Sequence, residues 1–302
     1  MTTVEVFAPA KVNLTLHITG QREDGYHLLD SLVVFADVGD HLTIRDADVP
    51  ATPGEKGNLS VVGREAEGVP EGGDNLVARA VGMMVDEVAP WIQIEKNLPI
   101  ASGLGGGSSD AAAAMRALAA LGGVASQHLA SEDAPRSLSQ ALGADVPMCL
   151  EARPWRASGI GEVLVPARLP RLEAVLVNPR VPVSTPDVFR ALKYRENPAM
   201  DWPPDADSVG SLCDWLAKMR NDLEVPACGL VPEIDHVLSR LRQLPGIMLA
   251  RMSGSGATCF GLFEDKEAAQ AGAEVIRWHE PLWWVNAVTL GDMSERARPR
   301  VG

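Results

Sequence analysis

The chain has 302 residues, enough for two modest domains with cores of ordinary size, and 46% apolar against 22% charged residues describes a soluble globular protein. With 27 basic and 40 acidic residues the net charge is −13, which disfavours binding to nucleic acid or an anionic membrane and leaves room for a local basic pocket around a phosphorylated ligand. No run approaches the ~18 apolar residues of a membrane span and the first residues form no cationic, then apolar leader, so a cytoplasmic location is expected.

In chain order, Val4 to Phe7 and Val12 to Ile18 read as β-rich stretches broken by Ala8-Pro9-Ala10. A proline interrupts a ladder, so a bend or bulge there is expected to aim Lys11 out of the sheet. Gln21 to Tyr26 is turn-like, and Leu28 to Val38 and His41 to Ile44 read as strands joined by a turn at Val38-Gly39-Asp40. Arg45 to Gly73 is rich in Asp, Glu, Gly and Pro and reads as a long exposed excursion holding one short apolar segment, Leu59 to Val62. Asp74 is placed to cap a helix over Leu76 to Val88, and Trp91 to Glu95 reads as a strand.

Next comes Gly103-Leu104-Gly105-Gly106-Gly107-Ser108-Ser109-Asp110, followed by an alanine-rich helix over Ala111 to Leu121. Glycines let backbone N–H groups approach an anion, and the following helix start adds unpaired N–H groups and partial positive charge. Together they form a phosphate cradle, with Ser108 and Ser109 as caps or as hydroxyls for phosphate or metal, and with Asp110 in the first turn. A flexible Gly/Ser linker is the bland reading, but linkers seldom join an apolar strand to an Ala/Leu helix. The chain has no Gly-Lys-Ser or Gly-Lys-Thr for a Walker loop, and Ser108 stands where a dinucleotide fingerprint needs its third glycine.

A second helix is expected over Ala134 to Leu142, ending at Gly143, so that Asp145 lies just beyond a helix C-terminus. Pro166 to Pro170 is the expected boundary between an N-terminal domain of residues 1–165 and a second of residues 166–291. The second reads as a strand at Ala174 to Val177 and helices at Val188 to Leu192, Val209 to Met219 and Ile234 to Leu244. It then reads as strands at Leu249 to Met252 and Thr258 to Phe263, a helix at Lys266 to Trp278 and a strand at Trp283 to Thr289. Ser253 to Thr258 is a second glycine loop, either a tight hairpin or a flap over substrate, and residues 292–302 are expected to be a loose tail. The four cysteines, Cys149, Cys213, Cys228 and Cys259, are widely spaced in apolar runs and read as core residues.

Two residues invite a catalytic reading. Lys11 alone is more simply a surface lysine, but beside a phosphate loop its cation can neutralise a transferring phosphoryl group. Asp145 gains nothing from the dipole of a preceding helix, and it suits a carboxylate that accepts the proton of an attacking hydroxyl. Tyr26, in a polar turn beside His27, offers a stacking ring or merely covers core edge, and Phe189 after Thr185-Pro186 is a second candidate ring.

The string Pro99-Ile100-Ala101-Ser102-Gly103-Leu104-Gly105 resembles the ATP loop of the GHMP small-molecule kinases. The chain is further similar to the branch of that superfamily that acts on 4-diphosphocytidyl-2-C-methyl-D-erythritol. The likeness runs in order through Pro9 to Leu14, Asp24-Gly25-Tyr26-His27, Asp74-Asn75-Leu76, the glycine loop, Gly143 to Pro147, Gly159 to Glu162, Asn221 to Glu224 and Ser253 to Thr258. It implies a two-lobed α+β GHMP fold, with an N-terminal lobe like the second domain of ribosomal protein S5 and a ferredoxin-like C-terminal lobe. It also implies ATP- and Mg²⁺-dependent phosphorylation of the 2-hydroxyl in non-mevalonate isoprenoid biosynthesis, by a monomer or homodimer. By this resemblance Asp145 is the base and Lys11 its partner, and Pro99, Gly103 to Ser109, Asn75 and Lys96 contact ATP. Asn13, Tyr26, His27, Thr185, Phe189, Gly254, Ser255 and Gly256 contact the cytidyl substrate, while the magnesium ligands are unassigned. Another GHMP small-alcohol kinase, or a silent nucleotide sensor on the same fold, is the competing reading.

Overall fold

A computed structural model of the chain describes residues 2–45, 58–85, 90–122, 134–202 and 208–302. The part of the acidic excursion at 46–57 and the end of the expected helix at 86–88 lie outside the described residues. Among the described residues twelve strands join in one sheet, whose main path runs β12-β1-β3-β11-β8-β10-β9.

The sheet is organised by β3 (His27–Arg45), which pairs with β1 (Thr3–Asn13), β2 (His17–Gln21), β5 (Trp91–Glu95), β6 (Trp155–Gly159) and β11 (Trp284–Gly291). The expected turn at Val38-Gly39-Asp40 is absent, and the strand runs straight through it. Gly39 lies opposite Pro9, and a Cβ on Gly39 would collide with the Ala8 carbonyl, so this glycine serves close approach of two strands instead of a reversal. The expected break in β1 is a register shift between Pro9 and Lys11 within one strand. The chain leaves β1 at Asn13, so Val12 to Ile18 is not one strand.

Within the excursion, β4 (Leu59–Val62) pairs in parallel with β5, and Glu65 is buried against Arg180 through two hydrogen bonds of 2.6 and 2.7 Å. Beyond β4 the described part is the exposed turn segment expected, with Glu65 its buried exception. Helix α1 (Leu76–Met84) is capped by Asn75, whose side chain accepts from Val77 N at 2.8 Å, in place of Asp74. Helix α2 (Gly106–Leu121) starts five residues earlier than Ala111, with Gly105 as a left-handed N-cap at φ 63°. Its small residues let it sit closely on β1 and β3, where Ala111 to Ala114 are fully buried.

Helix α3 (Ala134–Leu142) has the expected bounds, and α4 (Val146–Glu151) follows. A hairpin of β6 and β7 (Val163–Pro166) leads to β8 (Leu172–Asn178), which continues the same sheet into the C-terminal half. There α5 (Thr185–Arg190), α6 (Val209–Leu216), α7 (Glu224–Leu230) and α8 (Glu233–Arg242) precede the hairpin of β9 (Leu249–Met252) and β10 (Cys259–Phe263). Helix α9 (Lys266–His279) has Asp265 capping Ala268 N at 2.8 Å and Arg277 and His279 in its last turn, a dipole-compatible arrangement. The sequence reading missed α7, whose seven residues include Pro226 and Gly229.

The tail is not loose. Met293 and Ala297 are buried, Met293 N donates to Ala152 O at 2.8 Å, and β12 (Arg300–Val301) pairs with β1. All four cysteines are free, with Cys149, Cys213 and Cys259 buried and Cys228 partly so. No described helix is long and apolar enough to cross a membrane.

Candidate active site

The bulge at Pro9 and the start of α2 meet. Lys11 N donates to Leu104 O at 2.8 Å, so the glycine loop is tied to β1 by its backbone. Lys11 is buried, and its ammonium reaches Asn13 Oδ1 at 2.9 Å and Asp145 Oδ2 at 3.0 Å. Asp145 is the N-cap residue of α4, which corrects the expectation that a preceding helix C-terminus opposes it. The dipole of α4 favours a carboxylate here, and the side chain makes no capping hydrogen bond, leaving it for Lys11 and the cavity. Lys11 is thus shielded while the Asp145 side chain remains 38% exposed, the arrangement a proton acceptor requires.

These groups face a cavity of about 1110 Å³ lined by Lys11, Asn13, Asp145 and the loop residues Pro99, Gly103, Gly105, Gly106, Gly107 and Ser108. Three residues assigned from the resemblance do not line it as side chains. Leu104 is fully buried in the core beneath the central sheet. Ser109 is buried and donates to Pro9 O at 2.8 Å, because the helix starts early enough to turn it inward. Gly256 packs toward Met252 and Ile234, where a Cβ would lie 2.8 Å from Met252 Sδ.

Lys96 lines the cavity, but its ammonium is held by Asp40 and by Asp110 Oδ2, the latter at 2.7 Å. Asp40 also accepts from Asn97 N at 2.6 Å and Leu98 N at 2.9 Å, fixing the approach to Pro99. Asp110 therefore anchors this cluster instead of facing the helix start. Burial and the Asp40 carboxylate push its pKa up. Its Oδ1 is buried with no partner among the described residues. Asn75 also lines the cavity, with its amide nitrogen donating to Pro70 O at 2.8 Å.

At the other end, Tyr26 is 62% exposed on the cavity wall, while the His27 ring packs on Phe189 with centroids 4.9 Å apart. His27 and Phe189 thus form one wall, with their rings tilted by 32°. The His27 pKa is lowered by burial and by Arg195, and its Nε2 is buried without a partner among the described residues. Thr185 Oγ1 and Ser255 Oγ lie 2.7 Å apart beside Gly254.

The second glycine loop is a hairpin that docks on the first. Ser253 Oγ donates to Gly103 O at 3.0 Å, Thr258 N donates to Ser102 O at 3.0 Å, and Asn13 N donates to Ser253 Oγ at 3.1 Å. A Cβ on Gly103, at φ 75°, would collide with the Ser253 carbonyl. Asn221 holds this loop by donating to Met252 O and Gly254 O, both at 2.8 Å, and Glu224 accepts from Met252 N at 2.9 Å. In the sequence Asn221 and Glu224 stand out only within the family likeness, and no local signal marks Arg195 or Gly68 to Pro70, which also line the cavity.

Two family profiles match the chain: the GHMP kinases N terminal domain over residues 75–152 and the GHMP kinases C terminal over residues 204–279. A 4-diphosphocytidyl-2-C-methyl-D-erythritol kinase of Roseobacter denitrificans is 51% identical over 302 residues, covering 99% of this chain and 97% of that protein. The chain belongs to this family of GHMP kinases. The same-named protein of Rhodopseudomonas palustris is 43% identical to this GHMP kinase, covering 96% of the chain and 100% of that protein. A crystal structure of 4-(cytidine 5'-diphospho)-2C-methyl-D-erythritol kinase superposes on it with TM-score 0.74 at 35% identity, covering 95% of this chain and 99% of that one. A homoserine kinase from Cytophaga hutchinsonii, at 18% identity and TM-score 0.65 over 99% of this chain and 97% of that one, shares the GHMP fold. The two-lobed α+β architecture and the small-molecule kinase class expected from the sequence are both borne out.

Proposed function

We propose that this GHMP kinase transfers the γ-phosphoryl group of ATP to the 2-hydroxyl of 4-diphosphocytidyl-2-C-methyl-D-erythritol, giving the 2-phosphate and ADP for isoprenoid biosynthesis. The observation that carries the chemistry is the Lys11 to Asp145 pair at 3.0 Å beside Gly105, in a cavity that also reaches Tyr26 and His27. Backbone N–H groups of the glycine loop and of the first turn of α2 cradle the phosphates of ATP. Asp145 takes the proton of the acceptor hydroxyl as its oxygen bonds to the γ-phosphorus and the bond to the β,γ-bridging oxygen breaks, releasing ADP. Lys11 offsets the charge on the transferring group, and Asn13 orients the polyol. Tyr26 stacks on the cytosine and neutral His27 offers a ring nitrogen to the base edge, with Phe189 supporting it. Thr185, Gly254 and Ser255 close the acceptor end.

Magnesium, when bound, would offset the negative charge of the ATP phosphates, and it takes few protein ligands. Two atoms of this chain fit it: the unpartnered Oδ1 of Asp110 in the cavity wall and the hydroxyl of Ser108. Residues 1–165 act as the ATP lobe and 166–291 as the second lobe, in a cytoplasmic monomer or homodimer. An assay of ADP release across candidate alcohols, with and without the cytidyl group, tests the reading. Turnover should require the cytidyl diphosphate, and equal turnover of homoserine or mevalonate would replace it with another GHMP specificity.

A further inference from the structure

A second cavity, of about 600 Å³, shares no lining residue with the first. Its wall is drawn from β3, the segment after β4, the end of α9, the start of β11 and the C-terminal tail. Among the described residues that line it, Arg64, Arg180, Arg277 and Arg296 stand together with His41 against Asp37 and Glu65. Among these described residues two guanidinium charges are left over in one concavity of a chain whose net charge is −13. Like charges gathered in a concave wall repel one another, and an anion bound between them relieves that cost.

The four arginines are not equivalent. Arg180 is committed to Glu65 through two hydrogen bonds, and Arg277 gives Nε and Nη2 to Val285 O at 3.2 and 2.9 Å. Arg296 lies over the Phe7 ring at 4.6 Å and has only a long 3.9 Å contact with Asp37. Arg64 is exposed and makes no hydrogen bond or ion pair among the described residues. The cavity therefore holds two guanidinium groups with donors to spare, Arg64 and Arg296, beside two that are committed. Phe7, with His41 packed on it at 5.2 Å, and Trp283 and Trp284 supply flat apolar surface beside them. A guanidinium fork matches the oxygens of a phosphoryl group, and two forks match two such groups.

We propose that this cavity is a second binding site, separate from the ATP and acceptor sites, for a small diphosphate anion. The site does not depend on which alcohol the kinase phosphorylates. Inorganic pyrophosphate is the probe, titrated by calorimetry at fixed ionic strength into protein whose catalytic cavity is already filled with a non-hydrolysable ATP analogue and cytidine diphosphate. One saturable site is expected under those conditions. Arg64→Ser should weaken it by about tenfold or more, the loss of a charge-assisted bidentate contact, while Arg64→Lys recovers part of it. Turnover and melting temperature of Arg64→Ser should match the parent, since Arg64 touches neither the catalytic cavity nor the core. Pyrophosphate binding that vanishes once the catalytic cavity is filled, or that is equal in Arg64→Ser and parent, overturns the proposal.

Discussion

At the scale of single residues, Asp145 is the group on which turnover should depend most. Its side chain is partly exposed and spends itself neither on capping α4 nor on packing, so Asp145→Asn should leave the melting temperature within a degree or two while lowering kcat by about 10² to 10⁴, the usual range for a general base. A kcat within a few-fold of the parent would remove the assignment. His27 gives a pH signature of a different kind. Its folded pKa lies below the ordinary 6.5 because of burial first and Arg195 second. The unfolded chain then takes up the proton first as pH falls, so the His27 contribution to stability is complete above 6.5 and is lost as pH drops toward the lowered value. A protonated ring would also set a cation beside Arg195 and end its use as an acceptor. KM for the cytidyl substrate should therefore rise on acidification below pH 6.5 while KM for ATP stays flat, and the rise should be absent in His27→Gln.

At the scale of elements, the site depends on where α2 begins. The glycine string announced a phosphate loop in the sequence, but the alanine run drew the expected helix start to Ala111. The structure starts the helix at Gly106, since Gly105 accepts the left-handed cap that no side chain favours. That shift turns Ser109 inward and sends Asp110 to Lys96, facts that depend on tertiary partners and leave no local signal. The same holds for Asp40, which looked like part of a turn and is a buried anchor. Lys11, Asp145 and the loop were legible because each stands in a pattern whose residue types have a chemical purpose. Gly105→Ala tests the loop directly. The new Cβ would sit at φ 63°, which costs about 1 to 2 kcal/mol for an L residue. It would also lie 3.0 Å from Lys11 Cε, pushing the ammonium off Asp145. Kcat should fall along with a modest loss of stability. In Gly107→Ala, whose Cβ would meet only Leu76 at 3.7 Å, the fold should be undisturbed and any loss should appear in ATP binding. Equal kcat in Gly105→Ala and parent would show that the loop does not set the Lys11 position.

At the scale of the molecule, the last eleven residues reach the catalytic base through packing. Arg116 in α2 is partly buried and donates from Nη1 to Cys149 O at 2.7 Å, from Nη2 to Phe7 O at 3.0 Å and from Nε to Ala297 O at 3.0 Å. Cys149 lies in the short helix whose N-cap is Asp145, and Met293 N meets the C-cap residue of that helix, Ala152, at 2.8 Å. The tail thus pins α4 at its far end while Lys11 holds Asp145 at the near end. Composition alone suggested a loose tail, because three arginines and a proline stand among its eleven residues and its two apolar anchors, Met293 and Ala297, are too few to make a periodic run. Truncation after Gly291 should remove those anchors, the β12 pairing and one acceptor of the partly buried Arg116 guanidinium. Lost burial of Met293 alone is worth about 1.5 to 3 kcal/mol, and an unpaired charged donor adds about 1 to 3 more. The truncated protein should melt several degrees lower and should lose kcat more than it gains KM for ATP, since the glycine loop is held from β1 and the second hairpin instead. Arg116→Met, which removes the charge and fills its space, separates the two effects. It should recover stability better than kcat if α4 needs that donor to place Asp145. A truncated chain with parental melting temperature and kcat would mean that the tail carries no load on the active site.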